Sequence, residues 1–320
     1  PQGVADPLHR LQAQLDELQT RARVTRLAEL REIPSSVRWL TCPANPIEEL
    51  QEQLPRLRAV VSLSLEGMVD DRIGTVLASL PALAELDIQG TGLTESGWAR
   101  LAKLPRLRVL RIHGGIPGLT REVLAEVGEK LETLAICGEI DDEFPVPERL
   151  LPALTRLHGL CELQIAVDFD ADTERYVTVR DWDRSALVAS LLTMPNLRRL
   201  GFAARNGDPQ EWWPALAKSR LEKLRLGATS LDATAVSHLA TLSTLRELDL
   251  RCVGSSVAAR GALARMHQLT RLDVHMNGWT GEQVATLRTA LPHCHVLGKP
   301  KVNGRLCPPF GGEPSWTRDD

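Results

Sequence analysis

The sequence lacks long apolar runs, clustered cysteines and a basic excess. No stretch of about 18 apolar residues exists, so the sequence predicts no membrane-spanning segment. Six cysteines are spread over 320 residues without a C-x-x-C pair, which favours separate reduced thiols over a disulfide scaffold. The net charge of −3 gives no electrostatic reason to expect nucleic acid as a partner.

Motifs that mark common enzyme classes are also missing. The sequence contains no G-x-S-x-G, H-E-x-x-H, P-loop or G-x-G-x-x-G pattern. We therefore expect a protein that is not an enzyme and holds no cofactor. No signal peptide is visible, which favours a cytoplasmic location. Only six of the 38 basic residues are lysine, and this arginine bias favours a bacterial source.

What the chain does have is one phrase repeated eleven times. The pattern L-x-x-L-x-L, with aliphatic substitutions, begins at residues 37, 60, 83, 107, 131, 160, 197, 221, 245, 269 and 291. Its last four positions alternate apolar and polar residues, which is the period of a strand with one buried face. A helix is predicted after each strand. In the copy at 83, Thr94 is the expected N-cap and Pro105 ends the helix.

The repeated phrase resembles the leucine-rich repeat family, in the 24-residue form of ribonuclease-inhibitor-like proteins. The resemblance covers residues 37–298 and includes Asn45 and Asn277 at the polar turn position that follows the strand. It implies an α/β horseshoe solenoid, with parallel strands on the concave face and short helices on the convex face. Stacked copies share one core that no single copy can form.

Three segments depart from the regular repeat. Residues 1–36, with Asp6 as N-cap and a stripe of leucines, predict an N-terminal capping helix; a dimerising coil is the alternative. The longest interval between copies contains an insertion near 168–181, where "RYVTV" favours one strand of a small hairpin. The Pro/Gly-rich tail, 299–320, predicts an extended or partly disordered end. We expect the chain to be a monomer on its own.

The residues between the strand leucines point out of the concave face in this fold. Aligning the copies gives a first column of such residues that ends at His293 and a second column that ends at His295. Charges alternate in sign along the C-terminal half, so one interpretation is a ladder of cross-strand pairs, each contributing roughly 0.2–1 kcal/mol. The other is a site for a charged partner. The candidate protein-binding residues are Arg199, Lys223, Arg225, Glu247, Asp249, Arg251, Arg271 and Asp273, with Tyr176 and Trp182 from the insertion.

The middle of the same face is expected to be a floor of small, weakly polar residues that receives an apolar anchor of a partner. The insertion lies beside it, and insertions in solenoids often project from the binding face, although a tolerated surface loop is the alternative. The residues of this central floor are Val109, Ala135, Cys137, Ala166, Gly201 and Ala203.

The sequence contains two groups of residues that resemble metal sites, and it predicts a metal ion at neither. An EF-hand loop starting at Asp168 would need glycine at Thr173 and glutamate at Val179. His275, His293 and His295 resemble part of a zinc site but lack an evident fourth ligand unless the tail supplies Cys307.

The sequence therefore predicts a module that binds another protein through its concave face and central insertion. A regulatory or inhibitory subunit of a neighbouring enzyme, such as a protease, nuclease or toxin, is the alternative. A metal-dependent enzyme at the histidine rim is a third hypothesis. The identity of the partner does not follow from the residues.

Overall fold

The computed structural model describes most of the repeat region and divides it into two compact units, unit 1 (Pro1–Leu131) and unit 2 (Glu132–Asp320). Each unit is built from parallel strands followed by short helices. The described residues are 20–89, 92–114, 116, 118–138, 150, 153–154, 156–167, 169–170, 175–176, 194–203, 213–227, 230–250, 254–274 and 279–298.

The described part of unit 1 contains five strands, which pair in parallel in their order along the chain. Four of them are the first four predicted strands. The strands are β1 (Arg21–Arg23), β2 (Trp39–Pro43), β3 (Ser62–Glu66), β4 (Glu85–Gln89) and β5 (Val109–His113). The helices are α1 (Ile47–Gln53), α2 (Ile73–Leu77), α3 (Glu95–Ala102) and α4 (Arg121–Gly128), with a 3-10 turn at Leu27–Glu32 and another at Leu54–Arg56.

The core of unit 1 follows from the alternation within each phrase. The central leucine of each strand points inward and is at most 2% exposed, as in Leu40, Leu63, Leu86 and Leu110. Burial of such a side chain contributes roughly 1.5–3 kcal/mol. Between repeats, the Asn45 amide donates a hydrogen bond of 2.7 Å to the carbonyl of Met68, so the polar turn position links neighbouring copies.

Thr94 is the N-cap residue of α3, as predicted, but it is held by the preceding repeat. Its backbone N–H donates to one carboxylate oxygen of Asp71 at 2.8 Å, and its hydroxyl donates to the other oxygen. The Arg100 guanidinium donates to the Asp71 carbonyl at 3.0 Å. The start of α3 is therefore fixed by Asp71 rather than by the threonine side chain alone.

We expect Gly97→Ala to lower the free energy of unfolding by about 2 kcal/mol. A Cβ at Gly97 would overlap the Asp71 carboxylate and approach Leu93 Cδ2 to 2.9 Å, so both hydrogen bonds to Thr94 would be lost. Urea unfolding followed by circular dichroism measures the change. Gly261→Ala is the matched control, because its Cβ would meet nothing within 4 Å. Equal midpoints for the two variants would contradict the proposed role of Asp71.

Part of the segment 1–36 differs from the predicted capping helix. Residues Arg21–Arg23 form strand β1, which pairs in parallel with β2, and Val24 N–H donates to the Thr41 carbonyl at 2.9 Å. A 3-10 turn follows at Leu27–Glu32. The backbone hydrogen bonds offered by β2 account for the strand, since Arg-Ala-Arg has no large apolar side chain to bury. Residues 1–19 of the predicted helix, and the dimerising coil, lie outside the described residues.

The described part of unit 2 contains one sheet of seven strands, which pair in parallel in their order along the chain. They are β6 (Thr133–Gly138), β7 (Glu162–Val167), β10 (Arg199–Ala203), β11 (Lys223–Gly227), β13 (Glu247–Asp249), β15 (Arg271–Asp273) and β16 (His295–Leu297). Two small pairs are β8 (Phe169–Asp170) with β9 (Arg175–Tyr176), and β12 (Ser230–Leu231) with β14 (Gly254–Ser255). The described helices are α5 (Trp213–Leu216), α6 (Ala233–Ala240), α7 (Val257–Leu263) and α8 (Gly281–Ala290).

The helices of unit 2 begin at side chains suited to capping. Asp232, Ser256 and Thr280 accept hydrogen bonds of 2.7, 3.1 and 3.2 Å from backbone N–H groups three residues later. At α8 the Gln283 side chain also accepts from the Thr280 N–H, which completes a capping box. In the described residues, no helix combines the length and the apolar character that a bilayer crossing requires.

The last strand corrects the predicted register. Alignment of "LPHCHV" placed His293 opposite Arg271, but the structure pairs Arg271 with His295 and Asp273 with Leu297. The predicted phrase placed Cys294 at the inward position opposite Leu272. In the structure Val296, 24 residues after Leu272, is buried at that position, whereas Cys294 is only partly buried and precedes the strand. The true interval is therefore 24 residues and not 22.

Candidate protein-binding face

The strand face of unit 2 consists of two columns of side chains that point away from the leucine core. Strand pairing places the members of each column directly beside one another. The first column is Thr133, Glu162, Arg199, Lys223, Glu247, Arg271 and His295. The second column is Ala135, Gln164, Gly201, Arg225, Asp249 and Asp273. Apart from the last strand, these are the predicted columns.

The charged residues of the second column are buried. Arg225 is 8% exposed, Asp249 8% and Asp273 6%. The Arg225 Nε atom lies 3.6 Å from Asp249 Oδ2, while Asp249 and Asp273 lie side by side on neighbouring strands. One guanidinium and two carboxylates therefore share a poorly solvated row beside the first column, in which loss of one charge is costly.

The first column carries a second set of ion pairs. Lys223 Nζ lies 2.9 Å from Glu247 Oε1, and both side chains are less than one-third exposed. Arg199 Nη1 donates to Glu162 Oε2 at 3.2 Å. Glu162 is itself buried, and its other oxygen accepts a 2.7 Å hydrogen bond from the Gln164 amide. The predicted alternation of charges thus produces real cross-strand pairs.

Arg271 is the exception in this column. It stands between Glu247 and His295 in the strand order and is partly exposed. Within the described ranges, no ion pair of its guanidinium is present. Two further candidates for partner binding, Arg251 and Trp182, lie outside the described residues. For Tyr176 the structure describes the backbone alone, which pairs antiparallel with Phe169, as expected for a hairpin strand.

The central floor differs from the predicted run of small residues. Ala135 and Gly201 are buried, but the β7 strand places the amide of Gln164 between them. A Cβ built on Gly201 would meet Gln164 Cγ at 3.4 Å and Arg225 Cβ at 3.6 Å, so its neighbours already close over it. In the described part of unit 2 the floor is therefore polar. The side chains of Cys137, Ala166 and Ala203 lie outside the described set, and Val109 belongs to unit 1.

Two residues of this face, Glu162 and Gln164, were absent from the predicted binding set. Both are 7% exposed and bonded to each other. Their signal was present in the sequence, because Glu162 precedes Arg199 in the first column, and opposite charges at neighbouring register positions favour pairing.

The strand face of unit 1 carries its own polar contacts. Arg111 lies 3.9 Å from Glu85, and His113 Nε2 lies 3.3 Å from Asp87 Oδ1. Nearer the first strand, Arg21 and Arg38 lie 5.5 and 5.1 Å from the ring centroid of Trp39, at cation–π distance. None of these residues was in the predicted set, which was chosen from the dense charges of the C-terminal half.

The described cysteines are poor nucleophiles where they are buried. Burial raises the pKa of the Cys42 thiol to about 12, with a smaller contribution from the Glu66 carboxylate. Burial also raises the pKa of the Cys294 thiol to about 11. Both thiols are therefore protonated near neutral pH, whereas the thiolate is the reactive form. Cys161 is exposed.

Alkylation with iodoacetamide at about pH 8 is expected to modify Cys161 first, Cys294 slowly and Cys42 last. The thiolate fraction of Cys294 grows about tenfold per pH unit below its raised pKa, so its labelling accelerates as the pH approaches 11. Peptide mapping by mass spectrometry follows each site. Labelling in urea is the control and abolishes the order. Native Cys42 that reacts as fast as Cys161 would contradict the burial.

A metal centre finds no support in the described residues. In that part of the chain, no group of three or more His, Cys, Asp and Glu side chains is close enough to hold an ion. His293 precedes strand β16 and His295 lies within it, so the two do not share one strand as the sequence alignment placed them. His275 and Cys307 lie outside the described ranges, as do Asp168 and Asp172.

Solved structures share this fold at low sequence identity. A chain of the yeast Rad7–Elc1 complex is 14% identical, with a TM-score of 0.51, and the match covers 94% of this chain and 86% of that one. An internalin from Listeria monocytogenes is 16% identical, with a TM-score of 0.45 and coverage of 88% and 72%. The Arabidopsis receptor kinase HAESA, solved with the peptide hormone IDA and co-receptor SERK1, is 20% identical, with a TM-score of 0.40 and coverage of 70% and 35%. No protein-family model and no curated protein matches the chain.

These observations define the class of protein. Eleven predicted strands are all present, each unit pairs its strands in parallel, and helices follow the strands. Together with the likeness to the Rad7–Elc1 chain, which concerns the fold alone, this is the α/β leucine-rich repeat fold. The resemblance drawn from the repeated phrase is confirmed.

Proposed function

We propose that this chain binds a partner protein through the strand face of unit 2, with the insertion near 168–181 contributing contacts. The observation that carries the proposal is the paired, two-column arrangement of charges. The cross-strand pairs Arg199–Glu162 and Lys223–Glu247 order side chains of the first column before a partner arrives, and the Arg225–Asp249 pair lies buried beside them. A preformed face loses little conformational entropy on binding.

The two columns have different roles in this proposal, because only the first contacts the partner. Arg199, Lys223, Glu247 and Arg271 supply the contacts in this proposal, while Arg225, Asp249 and Asp273 are the buried charges beside them. Tyr176, Trp182 and Arg251 stay predictions of the sequence. A solved complex of the same fold joins Rad7 to Elc1, which supports a role in holding another protein.

Binding rather than catalysis is the activity we propose for this face. A regulatory or inhibitory role toward an enzyme would be a consequence of such binding. The cytoplasmic location, the bacterial source and the monomeric state stay predictions of the sequence. Light scattering during size-exclusion chromatography measures the last of these directly.

Affinity capture from a lysate of the source organism tests the proposal with matched baits. The face variant is Arg199→Glu with Arg271→Glu. The control is Arg220→Glu with Arg265→Glu, which makes the same charge change at exposed positions after helices α5 and α7. A partner retained by wild type and control but lost from the face variant is the expected result. A partner that all three baits retain would show that the site lies elsewhere. A fourth bait, with residues 169–180 deleted, measures the contribution of the insertion.

A further inference from the structure

The charges of the two columns differ in how far a partner can reach them. In the second column, Arg225, Asp249 and Asp273 are all buried. The charges of that column are therefore shielded from a docking molecule. A docking molecule meets the first column, and the charge of the first column decides which molecule fits.

The first column presents cations at Arg199 and Arg271, whereas in the pair between them the Glu247 side chain is the more exposed, 30% against 17% for Lys223. The Arg199 side chain is 48% exposed, but that of its partner Glu162 is only 9% exposed. This ion pair turns its positive end outward. Arg271, partly exposed, adds a cation that no carboxylate of the described residues neutralises. Lys223 and Glu247 neutralise each other between these two.

The spacing of the two outer cations is fixed by the sheet. Arg199 and Arg271 occupy β10 and β15, which are separated by β11 and β13. Three interstrand steps amount to about 14 Å. His295 lies next to Arg271 in the register, is exposed, and supplies a further hydrogen-bonding side chain.

We infer that the partner of this face presents an acidic protein segment, with carboxylates about 14 Å apart that pair with Arg199 and Arg271. The inference rests on the proposed function and names the chemistry of its partner. Lys223 and Glu247 form an ion pair between the two cations. A carboxylate of the segment placed beside Glu247 would be repelled, so the pair fixes the register of the segment. Nearly buried Glu162 holds Arg199 in place through its own bond to Gln164.

Fluorescence anisotropy with defined probes tests the inference. The probes are a fluorescein-labelled peptide of glutamate, glycine and serine, its lysine counterpart, and a single-stranded DNA of equal net charge. We expect the glutamate peptide to bind at low salt, and Arg199→Gln with Arg271→Gln to weaken it about tenfold. Arg220→Gln with Arg265→Gln, which removes the same charge elsewhere, leaves binding unchanged.

Other outcomes would overturn the inference. These are no binding of the glutamate peptide, tighter binding of the lysine peptide, or an equal loss in the control variant. DNA that binds as tightly as the peptide and responds to the same variant would replace the protein segment by a nucleic acid. The capture experiment separates failure of this inference from failure of the proposed function. If the face variant loses a captured partner but the glutamate peptide does not bind, the acidic segment is rejected and the binding face is retained.

Discussion

Trp98→Ala is expected to lower the free energy of unfolding by about 3–5 kcal/mol, the largest change we expect from any single substitution. Trp98 lies on the inward side of α3 and is fully buried in unit 1. Truncation leaves a cavity the size of an indole in a packed core, where neighbouring side chains collapse only partly. Chemical denaturation followed by far-ultraviolet circular dichroism measures the loss without relying on tryptophan fluorescence.

Trp98→Phe separates packing from polarity at the same site. The Trp98 indole N–H is buried and has no hydrogen-bond acceptor among the described residues. Phenylalanine removes this unpaired donor, which offsets much of the lost volume, so we expect a net change within about 1.5 kcal/mol. A phenylalanine variant as unstable as the alanine variant would mean that the indole N–H is paired. Val257→Ala, at a highly exposed position, is the control.

Arg225→Met is expected to lower the free energy of unfolding by about 3 kcal/mol. The Arg225 and Asp249 side chains are only about one-tenth exposed, and their charged atoms are 3.6 Å apart. Without the guanidinium, the carboxylates of Asp249 and Asp273 remain as neighbours in the buried column. Breaking a buried ion pair is costly because the remaining charge is poorly solvated. The same denaturation experiment measures the effect.

Two further variants identify the cause. Arg225→Met combined with Asp249→Leu removes both members of the pair, and we expect it to regain at least half of the lost stability, because loss of a whole buried pair is often near neutral. Lys223→Met disrupts the more exposed pair with Glu247 and should cost about 1 kcal/mol or less. If Arg225→Met costs no more than Lys223→Met, the second column is solvated and does not support the face.

The repeated phrase predicted the strands because its physical cause is local. A leucine at the centre of each phrase must be buried, and the alternation of the strand then fixes which residues face outward. The register of Lys223 beside Glu247, and of Arg225 beside Asp249, followed from counting. The opposite charges at these neighbouring positions form ion pairs in the structure.

Other features depend on packing that the phrase does not contain. The last copy offered both Cys294 and Val296 for the inward position opposite Leu272, and the phrase alone does not decide between them. Strand β1 exists through its pairing with β2. Gln164 and Arg225 are both buried, although the phrase places them at outward-facing positions of their strands. The set of residues predicted from charge therefore includes exposed side chains, such as Arg199, together with buried ones, such as Arg225.

Site-specific photocrosslinking tests the binding face most directly. A benzoylphenylalanine placed at Arg199 or at Arg271 reports what touches the first column of unit 2. The same residue at Arg220 or Arg265 reports what touches the turns after helices α5 and α7. The account predicts one crosslinked protein, identical from both face positions and absent from both control positions. A protein that crosslinks from Arg220 and Arg265 but not from the face would contradict it.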